Sequence, residues 1–266
     1  MAVSGAGIVS GLHPGEATVA AAFAGRPSRR TVFVVPNGTF HHRGSVYDDD
    51  VPVREAQAAV IGGPATGLVA MTGADGQYRF YGVSGDTEIR ITKPGYLEQR
   101  KRLVFTSHDQ GLQFNLQLSG SRADVTGTYR LTFSAAPECA SSSNLPAEVR
   151  TRSYDAILEQ NGPRVKGTLQ GATFHTVGTL PLNTFDGFVE PQGLRFEFLF
   201  GTYYSYPSVV ERLGSTLFSF AGTAVLTGEG SHFSGTLNGV VGTLSSTFFE
   251  YIRSCKSSGH RFELRR

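Results

Sequence analysis

The sequence predicts an all-β chain built in three blocks, the last of them an eight- or nine-stranded antiparallel barrel. Three observations carry this. The 266 residues include 33 Gly, 19 Phe and 10 Tyr, no Trp, and only 17% charged side chains. Aromatic and β-branched residues pack on pleated, half-buried surfaces, and Gly supplies the tight turns between them. Apolar and polar residues alternate with a period of two, whereas the helical period is nearly absent. Finally, short alternating runs recur at close spacing with turn residues between them, the pattern of sandwiches and meander barrels. The length suits two domains and a fragment of a third.

The first block covers residues 1–36. Ala17, Val19, Ala21 and Phe23 alternate as a strand, although the Ala-rich stretch Glu16–Ala24 can also be drawn as a helix. A turn at Gly25-Arg26-Pro27 leads to Thr31-Val32-Phe33-Val34-Val35. The run Val9-Ser10-Gly11-Leu12-His13-Pro14-Gly15-Glu16-Ala17-Thr18-Val19, with the Val-rich strand after it, resembles the closing strands of a bacterial immunoglobulin-like domain. The resemblance spans only the last third of such a domain, and a piece this small cannot bury a core alone. It implies a missing upstream region. A secretory signal is expected to belong to that region, because the first residues lack a basic segment followed by an apolar core.

The second block covers residues 37–118. Val46-Tyr47-Asp48 leads to Pro52–Val60, followed by Thr72-Gly73-Ala74-Asp75-Gly76-Gln77-Tyr78-Arg79-Phe80 and Gly82-Val83-Ser84-Gly85. Then come Glu88-Ile89-Arg90-Ile91, Lys93-Pro94-Gly95-Tyr96 and Gln113-Phe114-Asn115-Leu116. Asp75-Gly76 between alternating segments is a strong hairpin signal, and Pro94-Gly95 sets up a type II turn. The order of these motifs resembles the carboxypeptidase regulatory-like domain. That family implies a seven-stranded, transthyretin-like β-sandwich without catalytic residues, used as a spacer or docking module and sometimes grouped with carbohydrate-binding-like folds.

The third block covers residues 119–266. Val125, Gly127, Tyr129, Leu131 and Phe133 point one way and Thr126, Thr128, Arg130 and Thr132 the other. Further strands are expected at Arg152–Gln160, Arg164–Gln170, Thr184–Val189, Leu194–Phe200, Leu217–Leu226, His232–Gly239 and Arg261–Arg265, with Thr243–Ile252 as one more strand or a short helix. Gly127, Gly167, Gly187, Gly222, Gly235 and Gly239 fall inside these strands, where Gly commonly marks bends at barrel corners. The block resembles a barrel-type domain found at the C-termini of secreted, multi-domain bacterial proteins. The residues that carry this are Gly127-Thr128-Tyr129, the Cys139 loop with Leu145-Pro146, Arg150-x-Arg152-x-Tyr154, and the closing Cys255, His260 and Arg265. A fainter similarity to lipocalins rests on Gly127-x-Tyr129, where Tyr replaces a Trp over which a last-strand Arg packs.

Cys139 and Cys255 fit no metal-ligand spacing. They are expected to form a disulfide, which requires an oxidising compartment; two separate free thiols are the alternative. Together with the resemblances, this places the protein outside the cell or in the cell envelope. The net charge is +2 without a long run of one sign, which excludes nucleic acid as a first partner. No apolar run is long enough to span a membrane as a helix.

No catalytic motif stands out, and neither a cofactor nor a metal is expected. His41 and His42 are adjacent and would face opposite sides of a strand, and Asp48-Asp49-Asp50 reads as a solvated acidic turn. Tyr203, Tyr204 and Tyr206 form a candidate sugar-stacking platform, or else plug a barrel end. Arg152 is a candidate for an anionic ligand, but an inward Arg needs a carboxylate partner. The expected function is non-enzymatic binding or adhesion on a secreted or cell-surface bacterial protein, with polysaccharide or another surface protein as partner. The alternatives are a lipocalin-like small-ligand cup, which a core of Phe185, Phe196, Phe198, Phe218 and Phe220 would fill, and the accessory region of a larger secreted hydrolase.

Overall fold

Period-two alternation turns one side chain in and the next out, and the strands it builds gather into two units, residues 1–120 and 121–266. The computed structural model describes residues 2–4, 8–142, 145–199, 207–245 and 250–266. Tyr203, Tyr204 and Tyr206 lie outside the described residues.

In the first unit, Gly15–Phe23 and Arg26–Val34 form an antiparallel ladder, so the Ala-rich stretch is strand. The turn falls at Ala24-Gly25, one residue earlier than expected, with φ of 49° and 75°. Positive φ at both central residues gives a two-residue turn the twist of the strands it joins. Two four-stranded sheets follow. One runs in the order Gln99–Phe105, Gly85–Thr92, Gln57–Gly62, Val69–Met71. In the other, Phe40–Asp48 lies between a parallel neighbour, Leu112–Asn115, and the antiparallel pair Gln77–Val83 and Val51–Pro52. Val46, Tyr78, Phe80 and Phe114 from this sheet share a core with Val60, Ile89, Ile91 and Phe105 from the first. The result is a sandwich of eight strands, or seven without the two-residue Val51–Pro52.

The second unit is a closed barrel. Gly127–Ser134, Thr151–Asn161, Arg164–Gln170, Thr184–Glu190, Gly193–Glu197, Thr216–Glu229, His232–Leu244 and Tyr251–Arg265 each pair antiparallel with the next. The last pairs back with the first, completing eight strands, and Val210–Leu213 extends the sheet beside Thr216–Glu229. The expected segment Thr243–Ile252 is divided between neighbours: Thr243 and Leu244 finish one strand, and Tyr251 and Ile252 begin the next.

Aromatic rings fill the barrel. Phe133, Phe185, Phe196, Phe198, Phe218, Phe220 and Phe262 are all buried. Phe198 lies 4.8 Å from Phe185, 5.0 Å from Phe220 and 5.0 Å from Phe262, centroid to centroid. Gly167 and Gly187 serve this packing rather than a bend, because a Cβ at either would collide with the ring of Phe185 or Phe196. The outer wall carries exposed Arg130, Asp155, Lys166, Asp186, Lys256 and Arg261, the reverse of a lipid-facing barrel. Among the described residues no helix is long and apolar enough to cross a membrane.

Cys139, in the short helix Cys139–Ser142, is disulfide-bonded to Cys255 on the last strand. The Arg266 guanidinium lies 4.9 Å from the Tyr129 ring centroid and donates to the Thr126 carbonyl. The cation over the first-strand ring is thus Arg266, one residue beyond the Arg265 singled out in the sequence.

Candidate functional site

Arg152 and Tyr154 stand two residues apart on one strand and so share a face. Both converge on Glu211, which is 2% exposed. The Arg152 Nε donates to Glu211 Oε2 at 2.8 Å, a second guanidinium nitrogen bonds Oε1, and the Tyr154 hydroxyl donates to Oε2 at 2.8 Å. Burial, reinforced by Glu211, pushes the Tyr154 phenol far up, while its hydrogen bonds with Glu211 hold Arg152 charged. The arginine's charge is therefore met inside the barrel by a bidentate carboxylate. Next to it, Arg212 approaches His175 Nδ1 at 2.8 Å. Among the described residues, no group of three or more His, Cys, Asp or Glu is placed to hold a metal ion. Asp48 accepts from the Tyr96 hydroxyl at 2.9 Å, and Asp49 turns the chain with φ 53°.

A different constellation appears on the first unit, one that sequence reasoning did not find. In the pair Phe40–Asp48 and Gln77–Val83, His41 lies opposite Tyr81 and Arg43 opposite Arg79. Residues directly opposite share a face, so these four side chains stand together on the outside of the sandwich. In the N-terminal ladder Glu16 lies opposite Phe33, and Thr31 follows on the same face. These residues and Asp109 line a pocket of about 250 Å³.

Phe33 stacks on His41 with centroids 4.1 Å apart and lies 6.4 Å from Tyr81, yet the residue remains 43% exposed. His41 is sandwiched, with His108 stacked on it at 4.5 Å. The Tyr81 hydroxyl donates to Glu16 Oε2 at 3.2 Å; burial first, then Glu16, raise its pKa. The Arg79 Nε lies 3.9 Å from the same carboxylate. His41 Nε2 is 2.9 Å from Asp109 Oδ1 but off the line of a hydrogen bond. Both His41 ring nitrogens are buried without a hydrogen-bond partner. Such atoms are uncommon in folded proteins and call for an explanation.

His42 points the other way, into the core. It is fully buried, its Nδ1 lies 2.6 Å from the Gln110 carbonyl and its Nε2 3.3 Å from the Tyr78 hydroxyl. Burial lowers its pKa to about 4, so the neutral ring donates from Nδ1 and accepts from Tyr78. A second, more open groove of about 480 Å³ lies on the same unit and includes Glu55, Met71, Lys93 and Tyr96. There Lys93 is held on the Arg54 carbonyl at 2.6 Å and Tyr96 on Asp48. That groove has no stacked pair of rings.

The only advance signal for the pocket was alternation: His41 and Arg43 on one strand, Arg79 and Tyr81 on another. Register brought these four together, and Phe33 of the ladder stacks on His41 and lines the same pocket. Comparisons with family models, with curated proteins and with solved structures gave no match.

Proposed function

We propose that this chain is a non-catalytic binding module of a secreted or cell-surface bacterial protein, and that the Phe33–Tyr81 pocket is its carbohydrate site. The observation that carries the reading is an exposed aromatic ring beside a half-buried tyrosine, rimmed by planar polar groups. Apolar ring faces suit the C–H faces of a pyranose, and Arg, Glu, Asp and Tyr side chains suit its hydroxyls. The volume is just under the roughly 300 Å³ at which ordinary small-molecule pockets begin, room for a single sugar ring of a polymer. The resemblance to carboxypeptidase regulatory-like and immunoglobulin-like modules supports a display role, and the disulfide supports an oxidising compartment. The small-ligand cup has less support, because phenylalanine rings occupy the barrel interior.

Affinity electrophoresis of the full chain against a polysaccharide panel tests this. Phe33→Ala should weaken retention at least about tenfold, a loss of roughly 1.4 kcal/mol. A Tyr203→Ala/Tyr204→Ala/Tyr206→Ala variant should bind as the parent does. Loss in the triple variant alone would move the site to that segment, and retention by no polysaccharide would overturn the reading.

A further inference from the structure

Within this pocket the charges are unevenly used. Arg43 and Arg79 are directly opposed across the strand pair, an arrangement that is destabilising for like charges. Arg79 has Glu16 at 3.9 Å. The exposed Arg43 guanidinium has neither a hydrogen-bond nor an ion-pair partner among the described residues. The two carboxylates of the pocket already have company, Glu16 with Tyr81 and Arg79, and Asp109 with His41. The group left over is a cation, beside the ring platform.

We infer that the pocket takes a carboxylated sugar, a hexuronate unit of an acidic polysaccharide. The pyranose ring lies against Phe33 and Tyr81, and its carboxylate sits between Arg43 and Arg79, relieving their repulsion. Guanidinium groups suit this role because their planar donors match a carboxylate two bonds at a time. The inference rests on the carbohydrate reading above, and the two fail differently.

The test uses the full chain with polygalacturonate, alginate and hyaluronate, each beside its carboxyl-reduced, neutral counterpart. At least one acidic polymer should bind about tenfold tighter than its neutral form, and added salt should narrow that gap by screening. Arg43→Gln should erase the preference while leaving the weak neutral binding, and Arg43→Lys should restore part of it. Phe33→Ala should weaken both forms. Equal binding of acidic and neutral forms, or a preference that survives Arg43→Gln, would overturn the uronate assignment and leave the carbohydrate reading standing. Binding to none of the polymers, acidic or neutral, would overturn both.

Discussion

Both units bury aromatic rings in their cores, but among the described residues only the first leaves a phenylalanine on its outside. The barrel turns its phenylalanines inward until ring meets ring at about 5 Å, and keeps Arg, Lys and Asp on its wall. The first unit buries a histidine in its sandwich core and leaves Phe33 outside, stacked on a second histidine. Rings that fill an interior have exchanged water for one another and are spent on stability. Phe33, a residue left 43% exposed, has not made that exchange in full.

The comparison breaks most sharply at the disulfide, which belongs to the barrel alone. Cys139 and Cys255 are 116 residues apart. In the chain-entropy account, closing a loop of that length stabilises by about 5 kcal/mol. A Cys139→Ser/Cys255→Ser variant should therefore lose on the order of 5 kcal/mol in the barrel. Hydrogen-exchange mass spectrometry reads this by segment: peptides from 121–266 should exchange faster and those from the sandwich core should not. Equal acceleration in both units would mean that they do not unfold separately.

The next largest effect is expected at Arg152. Arg152→Met removes the cation but leaves Glu211 buried at 2% exposure. Leaving one partner of a buried ion pair uncompensated typically costs about 3–5 kcal/mol. Glu211→Gln/Arg152→Met, which removes both charges, should recover much of that loss. Denaturant titration of the two variants measures the difference, and an Arg152→Met variant as stable as the parent would show that the pair contributes nothing.

These pairs show what was legible in the sequence. Alternation identified most barrel strands, because an inward Phe or Tyr every second residue is a local property. It also placed Arg152 and Tyr154 on one face and showed that the arginine would need a carboxylate. It did not pick out Glu211 for that role, because the partner comes from a strand 59 residues away. The pocket was less legible still. Arg43 meets Arg79 only through the register of two strands separated by a long excursion, and Phe33 reaches His41 only through the placement of the ladder. Register and inter-element packing are non-local, and composition and spacing carry little of either. Likewise Gly167 and Gly187 read as bends because the rings that need the space are on neighbouring strands.

The last comparison is in pH. Both units bury a histidine whose pKa burial lowers, His42 in the sandwich core and His260 in the barrel, so a variant at His42 alone reads the sandwich's share. His42 binds a proton near pH 6.5 when unfolded and only at about 4 when folded. Between those values the unfolded chain holds more protons, so stability rises with pH across this window. The contribution is fully present above about pH 6.5 and is lost as the pH falls toward 4. At roughly 1.4 kcal/mol per pKa unit the whole loss is about 3 kcal/mol. His42→Gln should flatten this part of the pH profile in the sandwich peptides while leaving the barrel peptides unchanged. Because other groups titrate nearby, the quantity to read is the difference between parent and variant from pH 7.5 to 4.5. Identical slopes would mean that the buried imidazole accepts its proton without leaving the core, by giving up the Tyr78 hydrogen bond and keeping the one to Gln110.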